Sequence, residues 1–369
     1  MVYRAIGLMS GSSLDGLDIV FAEIQENGGN WQYEIIRADC YSYPEEWIKK
    51  LKEATSLTAL DYQLLHVGYG HYLGKQVNRF IEEHQLQYQV ALVASHGHTT
   101  FHIPASKMTA QLGDGAAIAA TTQLPVVSDL RSLDIAFGGQ GAPIVPIGEK
   151  LLLGDFDFFL NLGGIANISF NADDYIAFDV CAANRVLNML AVDAGKEYDE
   201  GGQMAATGMT DDALLEKLNS LDFYKLSAPK SLANDFGTGT VYPAIRAASL
   251  PTKDELRTYT EHIAIQIKNA ISRSKNFRPG LSPDEPNLKL LCTGGGAFNT
   301  FLVERIKDQL KELKIELIIP DEKLVKYKEA LIMALIGVLR WREESNVLSS
   351  VTGAKRDSVG GAMWMGQEE

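Results

Sequence analysis

The sequence predicts an α/β protein of two lobes with related topology, and three observations carry that reading. The chain of 369 residues exceeds the size at which one hydrophobic core keeps growing, so two lobes are expected. A succession of hairpin, further strand and helix occurs twice, once from Tyr3 and again from Phe156. A strand, a glycine-rich turn and a helix then follow one another around Gly295.

Residues 3–9 are apolar-rich, 10–16 carry turn chemistry and 17–24 favour β again, which reads as a hairpin. Its tip is unusual, because Ser10, Gly11, Ser12 and Ser13 offer many small donors where a plain hairpin needs two turn residues. Residues 34–38 continue the β pattern and 58–84 read as a helix. The plan returns with an apolar run at 156–160, the turn Asn161-Leu162-Gly163-Gly164 and a strand over 165–170. A β-like run at 175–180 and a helix over 184–192 follow. The duplication is one of pattern, hardly of identity. Residues 288–292 read as a strand, Thr293-Gly294-Gly295-Gly296-Ala297 as a tight turn and 301–313 as an amphipathic helix. The Pro- and acid-rich segment 279–286 reads as a surface loop inside the second lobe.

Composition narrows the class. With 46% hydrophobic and 22% charged residues the chain has material for packed cores. A net charge of −13, with no basic tract, argues against a nucleic-acid partner. The N-terminus lacks a sustained apolar stretch, and the longest apolar run, 330–339, is half of the ~20 residues a bilayer span needs. No export signal and no membrane segment are expected. Cys40, Cys181 and Cys292 are widely spaced and odd in number, which fits a reducing compartment, hence the cytoplasm, with each thiol a small core residue.

Binding a polyphosphate needs backbone N–H groups that approach closely, hydroxyl donors, and carboxylates to hold magnesium. The segment Gly11-Ser12-Ser13-Leu14-Asp15-Gly16-Leu17-Asp18 supplies all of these, although a decorated hairpin would read the same. Asn161, Gly163, Gly164 and Asn167 supply a second glycine turn with two amides. Gly294, Gly295 and Gly296 would let a nucleoside lie against the chain, or would simply end a strand. None of these is a G-x-x-x-x-G-K-[ST] loop or a G-x-G-x-x-G fingerprint, which argues against the P-loop and dinucleotide classes. His96, His98 and His102 have ligand-like spacing, but their segment holds no carboxylate, so structural or substrate-contact roles outweigh a metal site. Residues 138–143 read first as a mobile loop at the lobe boundary and second as a sugar-contacting one.

Three glycine turns, two on hairpins and one before a helix, resemble the two phosphate elements and the adenosine element of the actin and sugar-kinase ATPase superfamily. Within it, GSSLDGLD, SHGHT, SDLRSLDIAFGGQGAP, NLGGIANIS and CTGGGAFN occur in matching order from about residue 6 to residue 335. Together they resemble the anhydro-N-acetylmuramic acid kinase family. The resemblance implies an actin-like fold, each lobe a mixed sheet with packed helices, here divided as 1–145 and 146–369 with C-terminal residues free to pack back on the first. It also implies ATP in the cleft with Mg²⁺ near Asp15 and Asp18, mostly through water, a small sugar as substrate, and a homodimer.

Members of that family hydrolyse the 1,6-anhydro ring of the sugar and phosphorylate the freed 6-oxygen. By resemblance the carboxylate that activates water is Asp179, whose bland alternative is a cap for the helix beginning near Asn184. Gly294, Gly295, Gly296 and Asn299 match the adenosine element, and Gly97, Thr99, Asp129, Arg131 and Glu329 match substrate contacts. Arg131 has the clearest physical case: a guanidinium grips the lactyl carboxylate of a muramic sugar bidentately, against the alternative of an ion pair with Asp134. The bland alternative for Glu329 is an acid at the N-terminus of an apolar helix over 330–339. Val180-Cys181-Ala182-Ala183 departs from the family's Thr-Gly-Pro-like turn, which puts substrate and activity in question.

Overall fold

The computed structural model describes residues 1–11, 14–172, 175–228, 230–233, 235–274, 277 and 286–366. Ser12, Ser13 and most of the Pro-rich segment 279–286 lie outside the described residues. The strands are β1 (Val2–Ser10), β2 (Gly16–Asn27), β3 (Asn30–Ser42), β4 (Leu92–Ile103), β5 (Met108–Leu112), β6 (Val126–Ser128), β7 (Phe158–Leu162), β8 (Ile165–Phe170), β9 (Ile176–Ala182), β10 (Leu288–Thr293), β11 (Ile315–Ile318) and β12 (Ala362–Trp364). The chain forms two compact units, Met1–Leu153 with Tyr327–Glu369, and Gly154–Lys326.

Unit 1 holds a sheet ordered β12-β6-β4-β1-β2-β3, with β5 also paired to β4. Unit 2 holds a sheet ordered β11-β10-β7-β8-β9. The same plan underlies both. An antiparallel hairpin (β1–β2, β7–β8) is extended on one side by a third antiparallel strand (β3, β9). On the other side it is extended by a parallel strand (β4, β10) and by another parallel to that (β6, β11). Both sheets are therefore mixed, and the duplicated pattern in the sequence is a duplicated topology.

Helix Ala59–Glu83 matches its expected span because its ends are chemically marked: the Thr58 hydroxyl accepts from the Asp61 N–H at 3.2 Å. Helix Glu322–Trp341 lies against the sheet of unit 1. A Cβ on Gly7 of β1 would stand 1.9 Å from the Ala330 carbonyl oxygen, so only glycine lets this helix approach so closely. The helix also corrects the sequence reading of Glu329. That residue sits about two turns inside the helix rather than at its start. The apolar run 330–339 is only its uniformly buried half; in the first half the buried Leu324 and Val325 stand among charged residues, which dilutes the hydropathy signal.

In unit 2, helix Thr252–Ser272 is buried along most of its length, and the Tyr259 hydroxyl donates to the Ala182 carbonyl at 2.8 Å. Cys181, Ala182 and Ala183 belong to this core. They extend β9 to Ala182, which pairs with Ile165. The expected turn at Asn161 also shortens: Asn161 and Leu162 are strand residues paired with Asn167 and Ala166, leaving Gly163-Gly164 as the bend. Cys181 and Cys292 are core residues as expected, but Cys40 is exposed, because β3 is an edge strand. Among the described residues no helix is long and apolar enough to cross a membrane.

Candidate active site

In unit 1 the site residues gather where β4 departs from regular pairing. Between its contacts with Leu8 and Ser10, β4 runs from Ser95 to His98, one residue more than its partner. Gly97, at φ +71, absorbs that bulge, and a Cβ there would stand 2.4 Å from the Leu112 carbonyl oxygen. The bulge leaves both flanking histidines buried. His98 Nδ1 lies 3.2 Å from Ser10 Oγ, which also accepts from the Tyr43 hydroxyl at 2.8 Å. The residue just before the Gly11 tip is thereby fixed.

His96 holds Arg131. The Arg131 Nε–H donates to His96 Nε2 at 2.9 Å, so the imidazole proton sits on Nδ1 and is donated to the Gly97 carbonyl at 2.9 Å. Burial, reinforced by the Arg131 charge, holds His96 neutral, its pKa down at about 3. Arg131 Nη1 donates to the Gly141 carbonyl at 2.6 Å. Burial lowers the guanidinium to about 10 against the opposing pull of Glu329. Among the described residues no carboxylate forms an ion pair with it. The alternative partner, Asp134, is buried and accepts instead from the Gly141 N–H and the Thr352 hydroxyl, each at 2.7 Å. Asp134 thus holds the segment 138–143 at Gly139 and Gly141.

Asp18 on β2 stands directly opposite Cys40 on β3. Burial raises its carboxyl to about 6, the Cys40 thiol opposes this by hydrogen bonding, and the charges of Glu329 and Asp15 add to the rise. Asp15 is exposed, and Gly16 lets the chain pass Cys40 Sγ, which a Cβ would meet at 2.5 Å. The Leu14 and Leu17 side chains are buried, so contacts from them to a ligand would be main-chain contacts. Thr99 is exposed, as is Asp129, which has φ 55 and accepts from Ser132 Oγ at 2.5 Å.

In unit 2 one row of polar side chains crosses four strands. Thr293 pairs with Asn161, Asn161 with Asn167 and Asn167 with Asp179, and directly paired residues share a sheet face. The buried Thr293 hydroxyl has no hydrogen-bond partner among the described residues. Two glycine bends close on Asn161. A Cβ on Gly294, at φ +83, would stand 2.4 Å from Asn161 Oδ1, while Gly163 lies beside Asn161 Nδ2. Gly295 and Gly296 face the Asn184 amide, whose Nδ2 donates to the Leu162 carbonyl at 2.9 Å. The start of helix Asn184–Asp193 is tied to the hairpin by Ala183 N–H to Gly164 O at 2.8 Å and Asn184 N–H to Gly163 O at 3.1 Å. Asn299 caps helix Thr300–Lys311 by accepting from the Leu302 N–H at 3.0 Å.

Asp179 does not cap the following helix, whose N-cap is Ala183. Its Oδ2 accepts from the Leu232 N–H at 2.8 Å and from the Ser231 hydroxyl at 3.3 Å. Among the described residues no donor reaches Oδ1, so one carboxylate oxygen is anchored and the other is left to accept. Burial raises the pKa of the group, and the two hydrogen bonds partly offset that rise. Sequence reasoning missed His96 as the brace for Arg131, Asn184 as the link between the glycine bends, and Ser231 and Leu232 as the anchor of Asp179. An Asn opening the helix after β9 was a usable signal for Asn184. Ser231 and Leu232 lie in an irregular segment with none.

Two mixed sheets of one hairpin-first plan, with paired glycine bends beside a polar row, define an α/β protein of the actin-like, sugar-kinase type. A family model described as anhydro-N-acetylmuramic acid kinase matches residues 3–366, and the chain belongs to that family. Relatives carrying the name anhydro-N-acetylmuramic acid kinase include one from Francisella tularensis subsp. novicida (strain U112), 31% identical with 95% of each chain covered. Another, from Clostridioides difficile (strain 630), is 33% identical with 96% of each chain covered. Among solved structures, component A of (R)-2-hydroxyglutaryl-CoA dehydratase from Acidaminococcus fermentans superposes with a TM-score of 0.46 at 12% identity, covering 90% of this chain and 96% of that one.

Proposed function

We propose that this chain is an ATP-dependent sugar kinase that opens the 1,6-anhydro ring of anhydro-N-acetylmuramic acid and phosphorylates O6, giving N-acetylmuramic acid 6-phosphate for cell-wall sugar recycling. Family membership across residues 3–366 supports the reaction. The observation that carries the mechanism is the anchoring of Asp179 through Oδ2, with no donor to Oδ1 among the described residues.

In this reading Asp179 Oδ1 takes a proton from water as its oxygen bonds to the anomeric carbon and the bond from that carbon to O6 breaks. The freed O6 then attacks the γ-phosphorus and ADP leaves. General-base help of this kind is worth about 10²–10⁴-fold. Phosphoryl transfer itself demands positioning and charge neutralisation more than covalent chemistry. Gly163, Gly164, Asn161 and Asn167, with Gly11, Asp15, Gly16 and the backbone of Leu14 and Leu17, are the proposed phosphate contacts. Gly294, Gly295, Gly296 and Asn299 are proposed for the nucleoside. Arg131, braced by His96, is proposed to read the lactyl carboxylate, with Gly97, Thr99, Asp129 and Glu329 as further sugar contacts.

Asp18 and Asp15 fit a magnesium ion. Asp18 carries a raised pKa beside two other carboxylates, and among the described residues neither Asp18 nor Asp15 has a basic ion-pair partner. No cluster of three or more His, Cys, Asp or Glu side chains suited to a metal occurs among the described residues, which favours contact through phosphate and water. When bound, the ion would neutralise charge on the β- and γ-phosphates. Three free thiols favour the cytoplasm, and light scattering tests the homodimer that the family suggests.

The deciding experiment is ATP consumption with 1,6-anhydro-N-acetylmuramic acid, on the intact chain and on Asp179→Asn. Sugar-dependent turnover that disappears in the variant supports the reading, and its absence in the intact chain rejects it. The Val180-Cys181-Ala182-Ala183 stretch, whose first three residues belong to β9, favours one second reading, a kinase of the same fold for another sugar. Turnover with intact sugars lacking an anhydro bridge, and none with the anhydro sugar, would select it.

A further inference from the structure

Behind the strand that carries Asp179, unit 2 contains a cavity of about 350 Å³, within the size range of small-ligand sites. Alternation along β9 sends Ile176, Phe178 and Val180 into the cavity, while Asp179 leaves the opposite face. Ala270 of helix Thr252–Ser272 contributes to the facing wall. Three cations, Lys225, Lys230 and Arg273, also line it, and among the described residues none that line it is a carboxylate.

Among the described residues, Lys230 and Arg273 are placed but not neutralised. Lys230 Nζ donates to the Phe223 carbonyl at 2.9 Å and lies 4.3 Å above the Phe223 ring. Arg273 Nη1 reaches the Tyr224 carbonyl at 3.4 Å. Among the described residues neither has a carboxylate at ion-pair distance, whereas the third lining cation, Lys225, pairs with Asp222 at 2.7 Å. Burial, and after it the Arg273 charge, holds the Lys230 ammonium below its ordinary value. Two like charges facing one apolar-floored cavity are relieved by an anion whose apolar part covers the floor.

The cavity also adjoins the anchor of Asp179. The Asp179 N–H donates to the Lys230 carbonyl at 3.0 Å, and the next two residues, Ser231 and Leu232, hold Oδ2. We propose that this cavity binds a small organic anion with an apolar body, and that occupancy is transmitted through residues 230–232 to Asp179. The second clause rests on the reading of Asp179 as the base; the first does not.

The probe is 8-anilinonaphthalene-1-sulfonate, an anion with an apolar body, followed by fluorescence on the full chain with MgATP present and absent. Saturable binding is expected, undisturbed by MgATP, and weakened at least about tenfold in Arg273→Glu, whose side chain is exposed. Ala270→Trp, which fills the cavity, should abolish it, and the uncharged N-phenyl-1-naphthylamine should bind at least about tenfold more weakly. Displacement by MgATP, or equal binding by the intact chain and Arg273→Glu, overturns the site. Under saturating probe, sugar-dependent turnover should change in the intact chain and not in Arg273→Glu. Unchanged turnover with the probe bound overturns the link to Asp179. Survival of turnover in Asp179→Asn without probe instead overturns the base assignment and leaves the cavity standing.

Discussion

Asn167 and Asp179 face one another across neighbouring antiparallel strands, so an amide and a carboxylate leave the same face of the unit 2 sheet side by side. Their juxtaposition depends on a break in pairing between Ala166 and Asn167, without which residue 180 would oppose Asn167. A valine would then stand in the polar row.

Replacing Asp179 by Asn should lower sugar-dependent kcat by about 10²–10⁴-fold. Asn can still accept the Leu232 N–H bond, and position 179 does not cap a helix, so the melting temperature should barely move. A large fall in Tm beside the loss of turnover would mark the residue as structural.

The pH–rate profile should fall on the acid side with a midpoint above the ordinary carboxylate value, because burial raises the Asp179 pKa. Ser231→Ala removes a donor that favours the charged form, so the midpoint should move upward in that variant. A midpoint that stays put or moves down would contradict this electrostatic account.

Arg131→Met should raise KM for the anhydro sugar at least about tenfold, equivalent to about 1.4 kcal/mol of binding, with a smaller effect on kcat. His96→Leu should raise the same KM less, since it removes one of two braces and leaves the Gly141 carbonyl bond in place. An Arg131→Met enzyme with unaltered KM has no carboxylate reader at this position.

Asp18→Asn should stabilise the protein at pH 8 by about 1–2 kcal/mol while reducing ATP turnover. The sign follows from a folded-state pKa of about 6, above the ordinary 3.8. The group's contribution is fully present below the ordinary value and is lost as pH rises through about 6. Denaturant unfolding should therefore show the gain at pH 8 and none near pH 3.5, provided both proteins fold there.

Gly294→Ala should destabilise by about 2 kcal/mol or more, because it combines a positive φ with a Cβ approach of 2.4 Å to Asn161 Oδ1. Urea unfolding measures this directly. A change within about 0.5 kcal/mol would show that the bend adjusts freely.

Much of the architecture was legible because local chemistry marked it. Alternating apolar runs around glycine bends marked both hairpins, and Thr58 marked the start of a long helix. Hydropathy marks an element only where apolar residues run together, and charged neighbours hide the buried Leu324 and Val325. Hence the sequence pattern starts helix Glu322–Trp341 at residue 330, whereas Glu329 lies inside it. Edge exposure, likewise, is decided by strand order, so the surface position of Cys40 was not legible.

By itself the sequence determined the mixed α/β character, the repeated hairpin plan and the family, since these rest on periodicity and on ordered motifs along one chain. Only the tertiary structure decided that Arg131 leans on His96 and not on Asp134, and that residues 231 and 232 hold Oδ2 of Asp179. The physical reason is distance along the chain. Those partners lie 35 and 53 residues away, and their meeting is set by strand order and register, which no local pattern encodes.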